Sequence, residues 1–397
     1  MQKERQYFID WIRVLAFAIL IFYHSGMFFV PWGWHVKNNV IVEGLTYPML
    51  FFNQWRLSLL FFISGVGISF AFKSRTGWRF ASERTRRLFI PIVFGIFLIV
   101  PPQIYFERVM HHEFIGSYTQ FYPSVLEFKA YPKGSFSWHH LWFIVYLWVF
   151  SLVGIPIFLG LRKEKIQKLL AKFYDFILNP IRVYLLMIPF MLIFWLWDKT
   201  SPTTHNLIHD KLNLTNSFLL VILGFILGQT PKFWSMTEKY RKGFLWASII
   251  FGILFFWMVE RGIGLNEDHY FITKGIITRI NAFSDILCIC GFAKHYLNYT
   301  NKGLQYANEA VLPFYILHQT IIIAIGFYVA DLDWTWQIKL IILMAGTFLG
   351  AWGIYHFLIR PFDLMRLLFG MKKKKSSILM ISTNFLPKNL LNLLIFF

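Results

Sequence analysis

The sequence predicts an all-α integral membrane protein: a polytopic bundle of about ten transmembrane helices with both termini cytoplasmic. Three observations carry this. Of 397 residues, 57% are hydrophobic and only 15% charged, and mean hydropathy is +0.52, too little charge to cover a soluble surface of this size. Apolar runs long enough to cross about 30 Å of hydrocarbon recur along the chain. The basic residues fall mainly on alternate connections, as retained cytoplasmic charge requires.

The runs lie at about 9–30, 54–72, 88–106, 140–160, 182–198, 214–230, 243–259, 275–293, 310–330 and 338–359, the fifth to seventh being near the short limit. Each must be a helix, because an open sheet edge leaves backbone groups unsatisfied in lipid. The first run is too long for a signal peptide and lacks a small-residue cleavage site, so it is expected to remain as a span. With the N-terminus inside, the inner segments hold 26 Lys and Arg, including Lys3, Lys73, Arg75, Arg84, Arg162, Lys232 and Lys375, and the outer segments hold 8. The transmembrane domain is expected over 1–365. The tail 366–397, basic and then apolar with Pro387, is a poor eleventh span that lies along the inner surface or is disordered.

The net charge of +19 does not point to nucleic acid, because it is scattered over loop after loop on one side; there it anchors the chain against lipid headgroups. Cys288 and Cys290, the only cysteines, offer neither a disulfide framework nor a thiolate metal site. Eight of twelve histidines fall on the outer side, among them His35, His111, His139 and His140, but without HExxH or comparable ligand spacing no metal is expected. The outer loop, about 107–139, is rich in polar and aromatic residues suited to a carbohydrate-sized surface or to plain solvation. The outside carboxylates Glu43, Glu107 and Glu260 are placed by no spacing rule.

Polar residues inside spans are costly and point to function. Asp10 and Arg13, three apart, share a helix face; they either serve a site or pair as an interfacial anchor. His24 lies eleven residues beyond Arg13 on roughly the same side, about 16 Å along the axis. Histidine is the natural general base near neutral pH, with an ordinary pKa of about 6.5. His318 and Gln319, beside Tyr315 in the ninth span, either line a cavity or hydrogen-bond across helices.

Five ordered stretches carry a resemblance. Asp10-Trp-Ile-Arg13 with His24, Asn53-Gln-Trp-Arg56 with the run to Gly65, Arg86-Arg87-Leu-Phe-Ile-Pro91, His140-Leu-Trp142-Phe and Pro313-Phe-Tyr-Ile-Leu-His318-Gln319 resemble the signatures of the membrane acyltransferase 3 family over about residues 5–365. Tyr7 and Trp34-His35-Val36 resemble its glucan-biosynthesis branch. The resemblance implies a membrane O-acyltransferase of the bacterial inner membrane. The co-substrate would be acyl-CoA (acetyl-CoA or succinyl-CoA) from the cytoplasm, with no permanently bound cofactor. The acceptor would be a hydroxyl of an extracytoplasmic or lipid-linked carbohydrate.

The family's essential arginine and histidine fall on Arg13 and His24, the second-span arginine on Arg56, and the paired arginines on Arg86 and Arg87. His24 is then the base, with Asp10 holding Arg13. Arg13 reaches CoA phosphate or structures the polar core, and Arg56 orients the sugar or stabilises the oxyanion. Arg75, Arg84, Arg86 and Arg87 form the basic patch for CoA phosphates. Asn53, His140, Trp142, Tyr315, His318 and Gln319 are candidates to contact the acceptor. The rival is a secondary transporter or flippase for a glycan or small polar metabolite; such proteins often show repeated halves, and no half-to-half repeat is evident here. The acyl group, the acceptor glycan and the oligomeric state are not written in the sequence.

Overall fold

The computed structural model describes residues 5–72, 75–261 and 267–374. Lys3, Lys73 and the tail from Lys375 onward, which the sequence assigns to the inner face, lie outside them. The helices are α1 Tyr7–Met27, α2 Thr46–Phe72, α3 Gly77–Met110, α4 His139–Val153, α5 Ile155–Leu161, α6 Glu164–Ile177, α7 Arg182–Trp197 and α8 Lys211–Gly228. They continue as α9 Pro231–Lys239, α10 Arg241–Arg261, α11 Glu267–Tyr296, α12 Lys302–Val329, α13 Trp336–Ile359 and α14 Asp363–Leu368. Eight are long and apolar enough to span a membrane unbroken, and ten spans result if two bent pairs each cross once. One pair is α4–α5, bent by 53° beside Gly154; the other is α6–α7, bent by 120°. The protein is thus a polytopic all-α membrane protein, and no sheet forms among the described residues.

Helices α1, α2, α11 and α12 are among the most buried, while α10 and α13 turn side chains such as Trp246, Ile253, Ile341 and Leu349 outward. Exposed apolar surface of that kind fits a lipid-facing position. Without a hydrophobic drive between helices in lipid, small residues permit close crossing. Helix α8 carries Gly224-Phe-Ile-Leu-Gly228, and Gly65 faces it from α2. A Cβ on Gly65 would meet the Val221 carbonyl oxygen at 2.0 Å, and one on Gly224 the Phe62 carbonyl oxygen at 2.0 Å. The two backbones therefore touch, and no larger residue fits either place.

Proline shapes α3. Pro101 cannot donate to the Phe97 carbonyl, and the Tyr122 hydroxyl does so instead at 3.1 Å. The widened turn at Gly95–Ile99 leaves the Ile99 carbonyl for Thr320 Oγ1 of α12, at 2.6 Å. Two lysine staples hold the outer loop 28–42. Lys37 Nζ donates to the carbonyls of Met27, Val30 and Trp32. Lys339 Nζ, on α13, donates to Asn38 Oδ1 at 2.8 Å, Asn39 Oδ1 at 3.1 Å and the Ala330 carbonyl at 2.8 Å. That loop carries Trp34 and His35.

At the inner end, residues 366–372 pack into the bundle rather than leaving it. Arg366 is buried and donates to Glu309 Oε1 at 2.7 Å. Gly370 has φ +68, and a Cβ there would lie 2.2 Å from the Arg87 carbonyl oxygen, so the left-handed turn and the close approach both require glycine.

Candidate active site

His24 occupies the last turn of α1 and meets His318 of α12. His24 Nδ1 lies 2.7 Å from His318 Nε2, with the rings inclined by only 10°. The proton positions follow from the surroundings. His318 Nδ1 is 2.6 Å from the Tyr315 carbonyl oxygen, which can only accept, so Nδ1 carries the hydrogen and the neutral ring's Nε2 accepts. His24 Nδ1 must then donate to it. Nε2 of His24 is left as the basic lone pair, with no hydrogen-bond partner among the described residues. Partner chemistry has selected the tautomer, much as a third group orients the base in hydrolase triads.

His24 lines an outward cavity of ≈ 730 Å³. Arg56, buried on α2, also lines it; Nη2 donates to Asn53 Oδ1 at 3.2 Å, and the guanidinium stacks on Tyr23 at 3.4 Å from the ring centre. Arg56 Nε is buried with no hydrogen-bond partner, a donor without an acceptor beside the candidate base. Trp34 packs on His24 at 5.3 Å, and Trp142 stacks on His205 at 4.3 Å, giving the cavity aromatic faces. Burial holds the His205 imidazole below its ordinary pKa, so it is neutral at pH 7.

His140 and Tyr315 form the frame beneath. The Tyr315 hydroxyl donates to the His140 carbonyl. His140 Nε2 donates to the Ile316 carbonyl at 3.0 Å and its Nδ1 accepts from Gln103 at 3.3 Å. Gln319 donates to Gln103 Oε1 at 3.0 Å and approaches His35 Nε2 at 3.2 Å. Asn53, His140, Trp142, Tyr315 and Gln319 all line the outer cavity. His318 does not; it stands behind His24, facing an apolar slot between α1 and α12.

On the inner side two adjoining cavities of ≈ 720 and ≈ 480 Å³ share Arg13, Arg84, Arg87 and Lys372 in their walls, and Arg75 lines the first. Asp10 binds Arg13 at 2.7 Å and Arg5 at 2.9 Å, and Arg13 also donates to Asn308 Oδ1 at 2.7 Å. Arg13 Nε is buried without a partner. Arg86 departs from the others: it is exposed and lines neither inner cavity. Its neighbours at 84 and 87 share one helix face and 86 turns off it. Leu60 and Phe143 line both the outer cavity and the deeper inner one. The two therefore abut at these side chains, and His24 lines the outer one.

Asn308, Gln103 and Arg279 join the site beyond the residues that the motifs single out. Arg279 lines the outer cavity and stacks on Phe194 at 4.1 Å. Its signal was present, a charge inside the eighth apolar run. Gln103 likewise sits inside the third. Asn308 has no local signal; only its contact with Arg13 singles it out. The structure also gathers His35, Glu107 and His139 at the outer mouth. They come from three separate segments, which no ligand-spacing rule joins.

Comparison with known proteins gives a match to the acyltransferase domain model over residues 6–356. The chain is 22% identical over 345 residues to the glucans biosynthesis protein C of Salmonella paratyphi B, covering 82% of this chain and 84% of that protein. It is 22% identical over 333 residues to the protein of the same name from Shigella dysenteriae serotype 1, with the same coverage. No solved structure matches.

Proposed function

Because the chain belongs to this acyltransferase family, we propose that it moves an acetyl or succinyl group from cytoplasmic acyl-CoA to a hydroxyl of an extracytoplasmic or lipid-linked carbohydrate, with His24 as general base. The observation that carries the proposal is the free Nε2 of His24 in the wall of an outward aromatic cavity that meets an inward basic one at Leu60 and Phe143. That arrangement suits a donor and an acceptor that never share a compartment.

The inner arginines Arg13, Arg75, Arg84 and Arg87 suit the pyrophosphate and 3′-phosphate of CoA, since guanidinium forks match phosphate oxygens. The pantetheine arm would then bring the thioester up to Leu60 and Phe143. On the outer side Trp34 and Trp142 offer apolar sugar faces a platform, and Asn53 and Gln319 offer hydrogen bonds. The acceptor oxygen attacks the thioester carbonyl while His24 Nε2 takes its proton. The new imidazolium keeps its Nδ1–H on His318, and the free Arg56 Nε is the candidate donor to the oxyanion. Collapse breaks the C–S bond, and the imidazolium returns the proton to the departing thiolate. Acetyl and succinyl donors satisfy the same steps, and the glucan-related names of the relatives favour a glucan acceptor.

The test replaces His24 by Ala and by Gln at unchanged protein level and follows labelled acyl-CoA. Label on the glycan from the wild type, with loss of about 10²–10⁴ in both variants, is expected for a general base. Retained turnover removes the base assignment. Transport of intact substrate without consumption of acyl-CoA would favour a transporter.

A further inference from the structure

We infer that His35, Glu107 and His139 form a binding site for a divalent transition metal of the zinc class, set across the mouth of the outer cavity. Each offers one donor atom, and the three atoms lie within 4.8 Å of one another. Their segments are distinct: the loop after α1, the outer end of α3 and the start of α4. Two imidazoles and a carboxylate are a familiar zinc donor set, with a fourth position open to water. Neighbouring ligands about 2.0–2.1 Å from a tetrahedral ion sit roughly 3.4 Å apart, so closing the group requires the His35 ring, stacked on His139 at 4.7 Å, to tilt toward a common point.

His139 supplies the independent observation. Its Nδ1 is 2.7 Å from Ser137 Oγ, which fixes the ring. Its Nε2 is fully buried with no hydrogen-bond partner, an expensive state for a polar nitrogen unless something else completes it. The residue also holds φ +37, the sparsely populated backbone that tends to collect at functional sites. A simple ion pair accounts for the other two residues only: His35 Nδ1 lies 2.9 Å from Glu107 Oε2, and it leaves His139 unserved.

The supporting shell is in place. Tyr131 donates its hydroxyl to Glu107 Oε1 at 2.8 Å, leaving Oε2 for the ion. Gln319 stands 3.2 Å from His35 Nε2. Such outer-shell bonds are typical of histidine ligands. His35 and His139 both line the outer cavity, so an ion there ties loop 28–42 to α3 and α4 across the route to His24.

The test uses the full chain in detergent, purified with a tag free of histidine, stripped with chelator and titrated with Co²⁺. The expected result is one equivalent per chain with visible absorption of tetrahedral type, displaced by Zn²⁺, and a melting temperature raised by Zn²⁺. His139→Asn and Glu107→Gln should each weaken binding at least tenfold and abolish the thermal shift. Ser137→Ala should weaken it about tenfold. His111→Ala with His112→Ala, which removes nearby surface histidines, should leave it unchanged. Melting without metal checks that each variant is folded, and the two ligand variants lie on different helices, so one misfolded variant does not void the result. Absence of stoichiometric binding in the wild type overturns the site, as does binding that survives in whichever ligand variants are folded. Neither outcome bears on the acyl-transfer reading, because no activity is measured.

Discussion

Replacing His318 by leucine separates the orientation of His24 from every other part of the site. The leucine removes the acceptor 2.7 Å from His24 Nδ1 and touches neither the outer cavity nor the basic inner walls. When His24 takes up the acceptor's proton, its bond to His318 becomes one to a charged donor, worth about 1.5–3 kcal/mol. At about 1.4 kcal/mol per factor of ten, kcat should fall roughly 10- to 150-fold. KM for acyl-CoA should not move, since Arg84 and Arg87 line a different cavity. Glutamine can place its amide oxygen near the vacated Nε2 position, so His318→Gln should recover to within about tenfold of wild type. The assay is initial-rate transfer of labelled acyl groups to glycan in membranes of matched protein content, with both substrates varied. Wild-type kcat in the leucine variant, or a glutamine variant no better than leucine, would refute the tautomer argument. So would an effect confined to KM.

Three further outcomes are expected. Arg87→Ala and Arg84→Ala should each raise KM for acyl-CoA, by about tenfold or more if a charge-assisted phosphate contact is lost, whereas exposed Arg86→Ala should leave it near wild type, read from saturation curves. Gly224→Leu drives a side chain into the Phe62 backbone and should cost at least the roughly 1–3 kcal/mol of ordinary overpacking, seen as a lower melting temperature or loss of monodisperse protein in detergent. His205, whose pKa burial lowers, gives a signed pH effect: the unfolded chain binds a proton near pH 6.5 that the folded chain refuses, so stability falls as pH drops below about 6.5. The fall in melting temperature between about pH 7.5 and about pH 5.5 should therefore be smaller in His205→Gln than in wild type.

Much of the fold is legible along the chain because lipid leaves little choice. Each apolar run of sufficient length must close its own backbone hydrogen bonds, so the all-α class and the sequence of spans follow from hydropathy. The bend at Gly154 does not, since both sides of it are apolar, and neither does the turn between α6, amphipathic with Lys165, Lys168 and Lys172, and the apolar α7. Asp10, Arg13 and His24 stand out for a related reason, as polar groups where they are costly. The same rule, applied evenly, reaches Gln103 and Arg279.

The sequence by itself determined the class and the residues worth suspecting, because composition and charge act locally and need no partner. Only the tertiary structure decided which suspects meet. It placed His318 behind His24 rather than in the acceptor cavity, turned Arg86 away from Arg84 and Arg87, drew residues 366–372 into the inner wall, and joined His35, Glu107 and His139. The physical reason is that a hydrogen bond or a ligand set is fixed within a few tenths of an ångström by groups from different helices. Those helices find one another through glycine crossings, kinks and lysine staples, which no local pattern records.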